Sequence, residues 1–427
     1  MTKTKWVFTV SVIVVLLAIP LFAACSGGDK TTSTSSETTL YVGGLFALTG
    51  AYAEDMAAIL AGYEDYIAYV NKNKQLAPWY SDKTIADNIK FEVLWRDDEL
   101  KPEKALTLYE ELKDKGLLVE RISGSPQALA LMDVLNKDRI GATTSAVGPY
   151  LLSPPKTIFI PYPIYTDATA AIADWFMDNW SESRAPRVAY LTADNAMGRS
   201  VVIPEMTAFL EESGFEFVGE QYVPLVPTSP PTTQLLWLKD NGVDLALGVM
   251  INPGAQPTYK EMVRLDMGPD KGYKISFGTA SPGHAVVFAE ALGELGDGYL
   301  CAGSYPPLYD TSVVGIQFAN DLQNTYRPNN KVTHIMYVHG IIEAMTQVEA
   351  LRLAMQKVPA NELKPVDVLE YGFYMINNLD TGGIASTPLT YGPGDVIGID
   401  KVLVQQVQGG KVVALGTWPL HNIYKHE

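Results

Sequence analysis

A chain of 427 residues is long for one folding unit and comfortable for two. With 47% apolar and 19% charged residues it has the composition of a globular protein, which excludes wholesale disorder. The formal charge is −16, and since the first 24 residues hold two lysines and no acid the remainder carries −18. A body that acidic argues against nucleic acid or an anionic lipid surface as partner.

The N-terminus reads as a targeting segment. Lys3 and Lys5 precede an apolar run over residues 7–17, and Leu21-Phe22-Ala23-Ala24-Cys25 places small residues just before a cysteine. This predicts a secretory signal over 1–24 with a lipobox-like end, cleavage before Cys25, and lipidation of that cysteine. Phe22 stands where such motifs more often have Leu. The apolar run is short of the ~20 residues a membrane span needs, and Pro20 interrupts it. Residues 25–38 then comprise the lipidated cysteine and a polar, Ser/Thr-rich tether. The expected location is extracytoplasmic, on a membrane through the lipid anchor alone. The other cysteine, Cys301, lies in an apolar strand-like run and is expected to be a buried, inert thiol.

The stretch 39–71 reads as strand, polar loop, helix. Leu40 to Ala47 is a buried strand interrupted at Gly43-Gly44, Thr49-Gly50 marks a turn, and Ile59, Leu60, Tyr63, Ile67 and Val70 follow helical spacing. In an open α/β sheet such a loop sits at the carboxyl end of the strand, where ligands bind. A second strand over 89–95 ends in Arg96-Asp97-Asp98-Glu99, and Pro102 opens a helix. Strands over 116–122 and near Ile140 end in Ser123-Gly124-Ser125 and Thr143-Thr144-Ser145. Small residues let backbone N–H groups approach a ligand, and hydroxyls add donors, so two such loops suit a carboxylate or another acceptor-rich group. Capping of the following helices is the alternative use of the same residues.

A helix over 168–180 leads to a second set of units: a strand from Arg187, the loop Asp194 to Arg199, a helix running to Gly214, and a strand over 215–218. Further strands over 244–249 and 275–278 end at Met250-Ile251-Asn252 and Thr279-Ala280-Ser281. The repeat spacing fits parallel, doubly wound sheets. Long helices over 313–326 and 333–358 follow, then Gly382-Gly383, Pro388 to Gly392, and two closing strands to Leu415.

Leu48-Thr49-Gly50, Ala53, Gly62 and Asn71, then the order and spacing of the later units to about Pro419, resemble the branched-chain amino acid (Leu/Ile/Val) binding proteins, the type I solute-binding subunits of ABC importers. The resemblance implies an α/β fold of two Rossmann-like lobes joined by a three-strand hinge. Its expected boundaries are 39–164 plus 305–381 for lobe 1 and 165–304 plus 382–427 for lobe 2. It implies a small-molecule solute held between the lobes and delivery to an ABC permease and ATPase. A receptor of the same fold that signals to a membrane sensor is the alternative. The family's carboxylate-binding loops fall at Ser123, Ser125, Thr143, Thr144 and Ser145, with Tyr52 at the first loop. From lobe 2, Met197, Asn252 and Ala280 are expected by position.

The chain departs from the pattern where the family holds an α-ammonium. Family members place a glutamate after the strand that ends here at Phe277, and this sequence reads Gly278-Thr279-Ala280-Ser281-Pro282-Gly283, without an acid. Met197 and Ile251-Asn252 likewise replace the family's aromatic residues. Burying an ammonium without a counter-charge is costly. The expected ligand therefore carries a carboxylate or amide and no α-ammonium, with an apolar or aromatic body, unless Asp194 or Asp310 supplies the charge.

No enzyme, metal site or cofactor is expected. His334 and His339 are five apart, which does not put them on one helical face. Ser281 and His284 lack the G-x-S-x-G context of a nucleophile. The glycine pairs carry no dinucleotide fingerprint or phosphate-loop lysine.

Overall fold

A computed structural model describes residues 37–152 and 156–424. The signal segment, Cys25 and most of the tether lie outside the described residues. Among those described, no helix is long and apolar enough to cross a membrane.

The first lobe is built from β1 (Thr38–Phe46), α1 (Ala53–Asn73), β2 (Ile89–Asp97), α2 (Pro102–Asp114), β3 (Glu120–Ile122), α3 (Ser125–Asp138), β4 (Ala142–Thr144) and β5 (Ile158–Phe159). β1 pairs with β2 in parallel, and β3, β4 and β5 form a second parallel group. The Leu118 N–H donates to the Tyr41 carbonyl at 3.1 Å and links the groups. The strand order is thus β2-β1-β3-β4-β5, an open sheet whose carboxyl edge carries every loop between a strand and the next helix.

The chain crosses into α4 (Tyr165–Asp178), β6 (Arg187–Ala193), α5 (Ala196–Arg199), α6 (Pro204–Glu212), β7 (Glu216–Val223), α7 (Thr232–Asp240), β8 (Leu245–Val249), α8 (Asn252–Arg264), β9 (Ser276–Ala280), α9 (Ala285–Leu292) and β10 (Leu300–Ala302). It returns to the first lobe with α10 (Val314–Tyr326), α11 (Met336–Ala354) and α12 (Pro365–Tyr371), then adds the hairpin β11 (Lys401–Gln408) and β12 (Lys411–Pro419) to the second sheet. That sheet runs β12-β11-β10-β9-β8-β6-β7, parallel from β7 to β10 and antiparallel at β11 and β12. The first and third crossings lie side by side, joined by an Ile160–Ile397 bridge.

α11 is buried nearly all round, as its lack of a polar face requires. It crosses α1 at two glycines. A Cβ on Gly62 would lie 1.9 Å from the Tyr337 carbonyl oxygen, and one on Gly340 would lie 2.0 Å from that of Ile59. Only glycine lets the two backbones approach this closely.

Local chemistry also moved some boundaries. The loop expected over Asp194 to Arg199 contains the short helix α5, and the helix expected to run to Gly214 is α6, which opens at Pro204, a residue suited to a first helical position, and ends at Glu212. α4 begins at Tyr165, three residues earlier than expected, where the Tyr165 N–H donates to the Val147 carbonyl at 2.9 Å. His334 precedes α11 rather than sharing a helix with His339. Cys301 is fully buried, and burial pushes its thiol up to about 12.

Candidate functional site

The loops at the carboxyl edges of the two sheets meet between the lobes. The Tyr52 hydroxyl, from the loop after β1, donates to the Met197 sulfur of α5 at 2.9 Å. The Met197 turn is fixed by Asn195, whose side chain caps α5 by accepting from the Gly198 N–H at 2.9 Å.

The expected hydroxyls at the ends of β3 and β4 are brought together, but the protein itself already engages most of them. Ser123 donates to the buried Asp98 carboxylate. Thr143 accepts from the Gln347 amide at 2.9 Å. Thr144 caps its own turn, accepting from the Ala146 N–H at 2.9 Å. Ser145 accepts from Arg121 at 3.0 Å and donates to the Ser123 carbonyl at 3.0 Å. These side chains brace the two loops.

Ser125 opens α3 and stands beside the hydroxyls of Tyr150 and Tyr165. The Tyr150 oxygen is buried and makes no hydrogen bond of good geometry. Burial raises the proton affinity of Tyr52 and Tyr150, and pushes Tyr165 up to about 12. The three phenols stay neutral and offer donors rather than charge. The sequence reading named Tyr52 and Ser125 but missed Tyr150, between β4 and β5, and Tyr165, which opens α4.

Behind the loops sits an ion pair that sequence reasoning also missed. Arg121, in the middle of β3, is fully buried and donates to the Glu343 carboxylate of α11 at 2.9 Å. Its other donors reach the Leu45 carbonyl at 3.1 Å and Ser145, and its guanidinium lies over the Phe46 ring at 4.8 Å. Burial works to raise the Glu343 carboxyl, and Arg121 and His339 together outweigh it and hold the group below the usual carboxylate range. Neighbouring Glu120, also buried, is pushed well above that range by desolvation. The Arg121 charge is thus neutralised inside the protein.

The second lobe presents Met197, Asn252 and Ala280 at the ends of β6, β8 and β9, all buried. Neither acid considered for a ligand ammonium is free. Asp194 pairs with Arg199 at 2.6 Å, about half exposed. Asp310 holds the Ser312 hydroxyl at 2.5 Å and lines a separate groove with Pro306, Tyr309 and Leu403. At the lobe boundary Asp55 of α1 pairs with His334 Nε2 at 3.1 Å. Burial works against a charged His334, and Asp55 outweighs it and raises its proton affinity. His284, the residue before α9, is fully buried, and desolvation pushes its imidazole down to about 3, so it stays neutral. Its Nδ1 lies 3.1 Å from Ser304 Oγ and 3.5 Å from Ser281 Oγ. So weak a base does not activate Ser281 as a nucleophile. Among the described residues no cluster of His, Cys, Asp and Glu is arranged to hold a metal.

A family model described as "Periplasmic binding protein" matches residues 39–391. Among solved structures, the fold resembles a branched-chain amino acid ABC transporter protein from Thermus thermophilus with bound valine (TM-score 0.76, 20% identity, covering 91% of this chain and 98% of that one). It also resembles a fatty acid ABC transporter substrate-binding protein from Thermomonospora curvata (TM-score 0.74, 19% identity, 91% and 94%). A third is an ABC transporter solute-binding protein from Rhodopseudomonas palustris in complex with 3,4-dihydroxybenzoic acid (TM-score 0.69, 18% identity, 90% and 98%). No curated protein matches.

Proposed function

The chain belongs to the periplasmic binding proteins, and on that premise we propose that it is an extracytoplasmic, lipid-anchored receptor that delivers a small solute to an ABC permease and its ATPases. The solute carries a carboxylate or amide and no α-ammonium, on an apolar or aromatic body. Lobe 1 comprises 39–164 plus 305–381 and lobe 2 comprises 165–304 plus 382–427. Ser125, the loop backbone at Ser123 and Thr143 to Ser145, and the phenols of Tyr52, Tyr150 and Tyr165 meet the acceptor-rich end. Met197, Asn252 and Ala280 meet the other end.

The observation that supports this reading is the neutrality of the site. Its donors are hydroxyls, its cation Arg121 is spent on Glu343, and the nearby acids Asp55 and Asp194 are paired with His334 and Arg199. Such a site favours one modest negative or neutral pole and offers nothing to a cation. Ligand capture draws the lobes together and shifts an open–closed equilibrium. Neutral solutes or monocarboxylates gain by this, since loop N–H groups stabilise an anion without a buried counter-ion.

The test is thermal unfolding of the full-length protein in mild detergent against amino acids, aromatic acids, amides and short fatty acids. A ligand at 100 times its dissociation constant adds about 2.7 kcal/mol, a clear shift. A shift with acids or amides lacking an ammonium supports the reading. A shift confined to leucine, isoleucine and valine overturns the ligand class.

A further inference from the structure

Two polar atoms on adjacent loops of the second lobe are buried without a hydrogen-bond partner: Asn252 Oδ1 and His284 Nε2. Asn252 is 5% exposed and His284 fully buried, so water does not satisfy them as it satisfies surface groups. An orphaned buried polar atom costs about 1–3 kcal/mol, and two such atoms on adjacent loops suit a common partner.

Their placement is that of a ligand contact. β8 and β9 are neighbours in the sheet, with Val249 paired to Ala280 at the carboxyl edge. Asn252 opens α8 three residues after Val249, and His284 precedes α9 four residues after Ala280. The two loops touch, since a Cβ on Gly283 would lie 2.9 Å from the Met250 carbonyl oxygen. His284 faces the other lobe, with its ring edge-on to that of His334 at 6.2 Å between centroids.

The atoms also define what they would accept. Asn252 Oδ1 is an acceptor and needs a donor. Where the Ser304 and Ser281 hydroxyls donate to Nδ1, the His284 proton resides on Nε2, which then donates. A group that both donates and accepts satisfies the pair. A hydroxyl does so, and so does a carboxamide. An ammonium has no acceptor for Nε2–H, and the nearby Asp55 carboxylate is already paired with His334, while a carboxylate leaves Oδ1 facing an anion.

Resting on the solute-binding reading, we infer that Asn252 and His284 form the second-lobe contact for the ligand and select an uncharged hydroxyl or carboxamide at the pole opposite its carboxylate. His284 is thus a specificity-determining residue that the missing acid at Ala280 left unannounced.

The test is calorimetric titration of the full-length protein in mild detergent with matched monocarboxylic acids on a benzene ring and on a five-carbon chain. Each bears hydrogen, hydroxyl, carboxamide or aminomethyl at the far end. The hydroxyl or carboxamide member is expected to bind at least ten-fold tighter than its unsubstituted and aminomethyl counterparts. N252L and H284F should each erase that preference, and ligand-free melting reports whether each variant is folded. N252D, which keeps the shape and adds the missing charge, should turn the preference toward the aminomethyl acid. A wild-type preference for the unsubstituted or aminomethyl acid, or a hydroxyl preference that survives in folded H284F and N252L, overturns the inference and leaves the solute-binding reading standing. No binding by any member of either series counts against the carboxylate-solute reading itself, and this inference falls with it.

Discussion

Tyr52 and Met197 touch across the lobe boundary, hydroxyl to sulfur at 2.9 Å, although 145 residues separate them. One comes from the loop after the first strand of the first lobe and the other from α5, after the first strand of the second lobe. This weak hydrogen bond spans the boundary away from the three crossings of the chain. Removing only the hydroxyl, in Tyr52→Phe, should cost the closed form about 1 kcal/mol, or about five-fold in the closed-to-open ratio. Fluorescence transfer between dyes on the two lobes measures that ratio. An unchanged ratio would mean that the contact accompanies closure without favouring it.

The Arg121–Glu343 pair is a second, structural prediction. Both side chains are fully buried, and each neutralises the other. Losing one partner strands a charge in the core, so Arg121→Met or Glu343→Leu alone should destabilise by about 3–5 kcal/mol. The double variant should cost far less than the sum of the two. Urea unfolding of the four proteins completes the cycle, and additive losses would show that the pair does not act as one unit.

Glycine at the α1–α11 crossing is also required. Gly340→Ala places a methyl 2.0 Å from a backbone oxygen, and neither helix has room to retreat. We expect a loss of about 3 kcal/mol, at the upper end for overpacking, read as a lowered unfolding midpoint in urea. A midpoint within error of the parent would disprove the close packing of these helices.

Acidity should stabilise one corner of the second lobe. Asp167 in α4 is buried, and desolvation pushes its carboxyl up to about 6, even though its Oδ1 accepts from the His421 and Asn422 N–H groups at 3.1 and 2.9 Å. Its folded-state proton affinity exceeds that of the unfolded chain, so between about pH 4 and 6 the folded state binds more protons and stability falls as pH rises. Above pH 6 the cost is constant, at about 3 kcal/mol for a shift of about two units. In Asp167→Asn this contribution should vanish, so the difference in unfolding free energy between parent and variant should change between pH 4 and 6 and flatten above. A difference that is flat throughout would refute the assignment.

The sequence exposed the fold more readily than the site, and the reason is distance along the chain. The strands announce themselves as apolar runs such as Leu245 to Val249, and the loops after them as small polar residues, because both signals are local. The hydroxyls of Ser123 and Ser145 were visible as residue types, but their partners Asp98 and Arg121 were not, since pairing depends on how strands stack. Arg121 is the sharpest case: in the strand Glu120-Arg121-Ile122 it carries no sign of burial, and its partner Glu343 lies 222 residues away. Likewise His284 and His334 meet only because the chain crosses between lobes three times.

The central claim is that the cleft takes a carboxylate or amide without an α-ammonium. The most direct measurement is calorimetric titration of the full-length protein with leucine and with 4-methylpentanoate, which is leucine without its amino group. The account predicts that 4-methylpentanoate binds and that leucine binds more weakly or not at all, because the acids considered for the ammonium, Asp55, Asp194 and Asp310, are already engaged among the described residues. Tighter binding of leucine would contradict it, and would mean that Asp55 or another paired acid is released to the ligand on closure.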